Sequence, residues 1–197
     1  MLFRSDIKSR FCILKDGELK LSRDFGDLSD LNNFHRFKRA VSKIKTQPDI
    51  ISFDMHPDYF SSQAADLFNG VKKVAVQHHH AHVAALLPDN DIKKPVIGVA
   101  FDGTGFGSDG NLWGGEFMIA DKAGFKRAVH FKYLRMPGGE VAVREPWRMA
   151  FSLLYDCLGK DVFKLDLECL KIKPRKDYDI LVKMLEKKIN SDRKSVV

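Results

Sequence analysis

VKKVAVQHHHAHVAALLPDNDIKKPVIGVAFD, residues 71–102, is the stretch that decides the fold. Its ends, VKKVAVQ (71–77) and PVIGVAFD (95–102), are short apolar runs rich in valine and read as strands. Between them HAHVAALL (80–87) spaces its apolar residues as a helix does. Strand, helix, strand is the repeating unit of an α/β sheet. The mouth of that helix also concentrates chemistry, because four of the chain's seven histidines, His78, His79, His80 and His82, fall within five positions. Imidazole is a common metal ligand and carries protons near neutral pH.

The same alternation extends upstream. RFCILKDGELKLSRDFG (10–26) sets apolar and polar residues on either side of Asp16-Gly17, a hairpin signal. Leu31, Phe34, Phe37, Val41 and Ile44 recur at three and four, which predicts a helix between 28 and 45 that Pro48 stops. DIISFDM (49–55) reads as a buried strand, and DYFSSQAADLF (58–68) as a helix closed by Asn69-Gly70. Residues 1–101 therefore form a first α/β lobe with a partly parallel sheet.

At Asp102 the composition changes. DGTGFGSDGNLWGGE (102–116) holds six glycines in fifteen residues and reads as a loop lining a cleft. Two strands, GEFMIAD (115–121) and KRAVHFKYL (126–134), follow, joined by Lys122-Ala123-Gly124. RMPGGEVAVREP (135–146) is a second tight loop, and the helices PWRMAFSLLYDCL (146–158) and DYDILVKMLEKKI (177–189) complete the pattern. Residues 102–197 are thus expected to begin a second lobe.

Composition excludes several classes. With 197 residues, 44% of them hydrophobic and 15 of them phenylalanine, the chain can build a packed core. No apolar run approaches the roughly 18 residues of a membrane span. The charged opening MLFRSDIKSRFC has no apolar signal-peptide region. Three scattered cysteines, at 12, 157 and 169, with no C-x-x-C pair, suit a reducing cytoplasm rather than a disulfide framework. The net charge of +7 is local: residues 171–197 hold nine lysines and arginines against four acids. That excess suits a solvated amphipathic helix better than a nucleic-acid surface, which would need aromatic or recognition elements beside it.

If the helix starts at His78, then His78 and His82 stand at i and i+4, one turn apart on one face, where both can grip a single ion. Two imidazoles are too few for a tight site, and Asp102 at the end of the next strand is the natural third ligand. His79 and His80 point elsewhere, towards a supporting or substrate-facing role. The alternative is a helix mouth whose imidazoles bond to carbonyls and water. Gly103, Thr104 and Gly105 offer unobstructed amides and a hydroxyl, which suit a phosphate or anhydride oxygen. Arg144, ahead of a helix, could clamp an oxyanion bidentately or simply pair with Glu145. Asp54 and His56 end another strand at the same expected edge.

FDMHPDYFSSQ (53–63), VQHHHAHVAALL (76–87), VAFDGTGFGSDGNLWGGEF (99–117) and MPGGEVAVREPWRMA (136–150) occur in the order and spacing of one family. Together they resemble the HypF carbamoyltransferases of hydrogenase maturation, over residues from about 8 to about 190. The resemblance implies an α/β fold of the actin-like ATPase (ribonuclease H-like) class, similar to the tRNA-modifying enzyme TsaD and to antibiotic O-carbamoyltransferases. It implies a divalent metal (iron, zinc or magnesium) on His78, His82 and Asp102. It also implies ATP and carbamoyl phosphate joined as carbamoyl-adenylate near Gly103, Thr104 and Gly105, with His79, His80 and Arg144 acting beside it. The carbamoyl group would pass to the C-terminal cysteine of a HypE-like partner, on the way to the cyanide ligands of the nickel–iron centre.

The departures also set expectations. The acylphosphatase-like, zinc-finger and YrdC-like domains that precede this region in HypF proteins have no counterpart here. LFRS stands where a glycine-rich approach is expected before Lys8-x-x-Phe11-Cys12, and KKINSDRKSVV stops before the last metal-ligating aspartate. The chain thus reads as the first lobe plus the beginning of the second, acting with the missing segments or a complementing chain. The competing readings are a non-catalytic remnant that docks on a partner and a small-molecule O-carbamoyltransferase.

Overall fold

The computed structural model describes residues 2–3 and 8–195. The chain divides into two compact units, Met1–Ala81 and His82–Val197, with the division inside a helix. It falls twenty residues before the composition change at 102 (102 − 82), because the strand that reaches Asp102 belongs wholly to the second unit.

The first unit holds a five-stranded sheet of β1 (Leu2–Phe3), β2 (Phe11–Lys15), β3 (Glu18–Leu21), β4 (Ile50–Asp54) and β5 (Lys72–Val76), in the order β3-β2-β1-β4-β5. β2 and β3 form the hairpin expected at Asp16-Gly17, both of which take positive φ, as a tight two-residue turn requires. β1, β4 and β5 run parallel, so the sheet is partly parallel as the sequence predicts. Helix α1 (Leu31–Ser42) begins where Asp30 accepts from the amides of Asn32 and Asn33, and it buries Phe37 and Val41. Phe11, Phe25, Leu28, Ile51, Ala64 and Ala65 complete that core, with Phe25 edge-on to Phe37 at 5.4 Å. The helix expected over 58–68 is only α2 (Phe60–Gln63) followed by a 3-10 turn at Ala64–Leu67, which turns Ala64 and Ala65 inward.

Helix α3 (His78–Asp89) starts two residues earlier than its apolar pattern suggests. The second unit contains β6 (Val96–Phe106), β7 (Leu112–Ala120), β8 (Phe125–His130) and β9 (Tyr133–Pro137). Helices α4 (Glu140–Arg144), α5 (Trp147–Leu158) and α6 (Arg175–Lys187) follow, and then β10 (Ser191–Ser195). Its sheet runs β6-β7-β10-β9, with β8 also on β7. β6 packs on α3 at Gly98, where a Cβ would stand 2.6 Å from a methyl of Val83. Val83, Met118 and Ala120 form the core there, while Ile97, Val99 and Phe101 on the alternate positions of β6 are exposed. A second core joins α5 and α6 through Trp147, Phe151, Tyr178, Leu181 and Val182.

Three expectations are corrected here. Asp102 does not end its strand: β6 continues to Phe106, and the glycine-rich stretch is a hairpin with β7 rather than an open loop. KRAVHFKYL is two strands, broken at Phe131 and Lys132. β10, drawn from the tail, has no apolar run to announce it and pairs with β9 across five positions. The basic α6 buries Tyr178, Leu181 and Val182 and exposes its lysines, as an amphipathic helix does.

Candidate metal centre

α3 is placed by β5, which carries the chain to the carboxyl edge of the parallel strands. Gln77 ends that approach and caps the helix, its Oε1 accepting from the His80 amide at 2.8 Å. The Gln77 amide also lies 3.2 Å from Nδ1 of His79, which is fully buried. His80 is half-buried. His78 and His82 stand one turn apart on the continuous helix.

Asp102 reaches the same place by a different device. Between Phe101 and Gly105, β6 advances four residues while β7 retreats two, from Gly115 to Trp113. Asp102, Gly103 and Thr104 therefore stand against the single Gly114, two residues too many for the ladder, and such bulges commonly re-aim side chains at a site. Gly114 lies beneath, where a Cβ would meet the Ser195 carbonyl at 2.5 Å and the Asp102 carbonyl at 3.1 Å. His82 Nε2 lies 3.4 Å from Asp102 Oδ2. Two donors each ~2.1 Å from one ion at a tetrahedral angle stand ~3.4 Å apart, so this spacing fits shared ligation. One ligand atom from each of His78, His82 and Asp102 lies within 4.8 Å of the other two.

Two of the three candidate ligands, His78 and Asp102, are also held from behind. His78 Nδ1 is 2.8 Å from Asp54 Oδ2 at the end of β4. Asp102 Oδ1 accepts from the Gly103 amide at 2.6 Å, which leaves Oδ2 towards His82. Lys194 of β10 is buried; desolvation pushes its amine below the usual lysine range, and the charge of Asp102 works against that shift. No sequence pattern marks Lys194, because its position depends on β10.

Among the other expected site residues, Thr104 is half-buried in the bulge and Gly105 pairs with Trp113. Arg144 is exposed in the last turn of α4, and Glu145 pairs with Arg148 at 2.6 Å, not with Arg144. His56 stacks on Tyr59 at 4.2 Å, and its amide donates to Asp54 Oδ1. Of the LFRS segment, residues 4–5 lie outside the described residues.

The neighbouring hairpin carries a polar cluster that spacing does not reveal. Arg127 Nε donates to the buried Glu116 at 2.6 Å, and its Nη1 reaches Asp109 at 3.2 Å and the Tyr133 hydroxyl at 2.8 Å. Its guanidinium lies 3.9 Å over the Trp113 ring. Ser195 donates to Glu116. Burial pushes the Asp109 carboxyl up, but donation from Tyr133 and Trp113 outweighs it and holds the group at about 2. Burial and then donation to Asp109 push the Tyr133 hydroxyl up to about 12. Among the described residues no helix is long and apolar enough to cross a membrane.

Comparison with known proteins places these features in a family. Residues 4–89 match the HypF Kae1-like domain, and residues 98–197 match the second subdomain of the carbamoyltransferase Kae1-like domain. The chain is 41% identical to the carbamoyltransferase HypF homologue of Cupriavidus necator over 156 residues, 76% of this chain and 40% of that protein. It is 31% identical to the probable carbamoyltransferase HypF of Methanocaldococcus jannaschii over 194 residues, 94% of this chain and 25% of that one. The crystal structure of full-length HypF in the phosphate- and nucleotide-bound form superposes with a TM-score of 0.81 at 31% identity, covering all of this chain and 26% of that one. HypF of T. kodakarensis gives 0.82 at 26% identity, covering all of this chain and 28% of that one.

Proposed function

The chain belongs to the HypF carbamoyltransferase family and has its α/β actin-like ATPase-type fold, and from that premise we propose that it supplies the metal-binding face of a carbamoyl-transfer site. The observation that carries the reading is the approach of His82 to Asp102 across the β6 bulge, 3.4 Å, one turn from His78. Two imidazoles and a carboxylate suit iron, zinc or magnesium, with the remaining positions left to ligand or further donors. A cation held there would stabilise the negative charge that develops on carbamoyl or phosphate oxygens.

The chain's own residues do the rest. His78 and His82 offer lone pairs from one rigid helical turn, and Asp102 offers the charge. The Gly103–Gly105 segment, with the Thr104 hydroxyl, takes the nucleotide part of carbamoyl-adenylate, made from ATP and carbamoyl phosphate. A nucleotide ligand is in keeping with a HypF relative whose full-length structure is a phosphate- and nucleotide-bound form. His79, packed on Gln77, orients the helix mouth, His80 meets the carbamoyl group, and Arg144 clamps an oxyanion. The acceptor is a cysteine thiol at the C-terminus of a HypE-like partner, which places the reaction in the assembly of hydrogenase cyanide ligands in the cytoplasm. The adenylate comes from the other domains of the family, in the same polypeptide or in a complementing chain. The chain spans 40% and 25% of the two relatives, so most of each lies outside the matched region.

The test begins with elemental mass spectrometry on the purified chain beside a His78→Ala/His82→Ala double variant. Near-stoichiometric metal in the first and none in the second supports the reading. Transfer of labelled carbamoyl to a cysteine-terminated peptide, with an adenylate-forming partner added, then tests the acceptor. Metal in neither protein sinks the metal reading and favours a non-catalytic docking module. Transfer to a small hydroxyl acceptor but not to the thiol would favour an O-carbamoyltransferase.

A further inference from the structure

Asp54 is not among the three ligands, yet it is more deeply placed than any of them. Its side chain is 9% exposed, against 20% for His78, 33% for Asp102 and 56% for His82. It sits at the last position of β4, in register with Val76 of β5, so the parallel pair fixes its backbone. Its carbonyl accepts from Ser62 Oγ at 2.8 Å, and its Oδ1 accepts from the His56 amide at 2.8 Å. That leaves Oδ2, which lies 2.8 Å from His78 Nδ1.

An ionised carboxylate can only accept, so the proton in this contact belongs to Nδ1 of His78. A neutral imidazole with its proton on Nδ1 has its lone pair on Nε2, the nitrogen at the far end of the ring. The hydrogen bond also fixes the plane of the ring and raises the basicity of the free nitrogen. We infer that Asp54 is a positioning residue for the metal: it selects the Nδ1-protonated form of His78 and directs Nε2 to the ion. The inference rests on the proposed metal reading and adds to it an acidic residue supplied by a different strand.

The experiment titrates cobalt(II), as a spectroscopic stand-in, and zinc into the full chain and its Asp54→Asn, Asp54→Ala and His82→Ala variants. Thermal unfolding of the metal-free proteins is followed in parallel. Asp54→Asn keeps the shape and one acceptor oxygen, so affinity is expected to fall about tenfold, and about a hundredfold in Asp54→Ala. Nitrogen-15 spectra of the metal-free proteins should show His78 protonated on Nδ1 in the wild type and in His82→Ala, and mixed between tautomers in Asp54→Ala. Unchanged affinity in both Asp54 variants, or an unchanged His78 tautomer in Asp54→Ala, overturns the inference. If Asp54→Ala unfolds, Asp54→Asn alone decides it by the same affinity criterion. Absence of metal binding in the wild type overturns the metal reading itself, and the inference with it, a result separable from a failure confined to Asp54.

Discussion

The β6–β7 hairpin carries two carboxylate clusters a few residues apart, and they are built on opposite principles. Around Arg127 the carboxylates are already paired within the protein: Glu116, Asp109 and Tyr133 accept from Nε and Nη1, and Trp113 lies under the guanidinium, while Nη2 has no partner among the described residues. A guanidinium is always charged and has only donors, so it presents no lone pair to a cation. Around Asp102 the partner is His82, an imidazole more than half exposed, whose nitrogen can present a lone pair. Acidic residues in a fold therefore do not by themselves announce a site. What distinguishes one here is a partner able to give a cation a lone pair.

Breaking the first cluster should cost the most stability. Arg127→Ala leaves Glu116 charged and buried without its cation, and should lower unfolding free energy by about 3–5 kcal/mol in denaturant titrations. A loss under ~1 kcal/mol would show the cluster to be incidental. Next comes the packing of β6 on α3, where Gly98→Val drives methyls into Val83 and should cost about 1–3 kcal/mol. Cobalt binding would report whether the bulge at Asp102 shifts as well.

A smaller effect comes from pH, and two groups of the Arg127 cluster contribute to it with opposite sign. Asp109, held at about 2 in the fold against an ordinary 3.8, contributes stability that is present above 3.8 and lost as pH falls through 2. Tyr133, raised to about 12 from 10, contributes stability present below 10 and lost as pH rises through 12. Asp109→Asn should therefore flatten the acid limb of midpoint against pH, and an unchanged limb would assign acid sensitivity to other groups. His82→Ala should have the smallest effect on the metal-free protein, within about 0.5 kcal/mol, because the residue is largely exposed. It should nevertheless abolish metal retention. A much larger destabilisation would make His82 a structural residue, and undiminished metal binding would remove it from the site. Asp102→Asn should weaken metal binding with a similarly small change in stability.

The parts of this architecture written in local pattern were legible in the sequence. Asp16-Gly17 marks its hairpin because both residues must adopt positive φ, and Phe37 and Val41 mark the buried stripe of α1. The spacing of His78 and His82 was also legible, since i, i+4 is a local property, whereas Asp102 stands beside His82 because of a bulge inside β6 and not because it ends the strand. The bulge was not, because glycines in a ladder and glycines in a loop read alike; only the register against Trp113 and Gly115 tells them apart. β10 was hidden for a related reason. Ser191–Ser195 is polar and charged, and its strand character is imposed by the two strands beside it. Lys194 and Ser195 reach Asp102 and Glu116 only through that long-range pairing.

The placement of β10 has a consequence for how the second unit assembles. It lies between β7 and β9, parallel to one and antiparallel to the other, with Lys194 opposite Leu112 across 82 residues of sequence (194 − 112). β7 and β9 are not neighbours in the sheet order, so β9 joins that sheet only when the chain has passed through the intervening helices and returned as β10. Closing so long a loop carries an entropic cost before any pairing compensates it, and such contacts form late. The β2–β3 hairpin needs only a two-residue turn. That hairpin can therefore order early, while β9 and the Leu112 end of β7, beyond the stretch that β8 covers, wait for β10 with exposed strand edges, the state in which a chain is most open to chaperones and to mispairing.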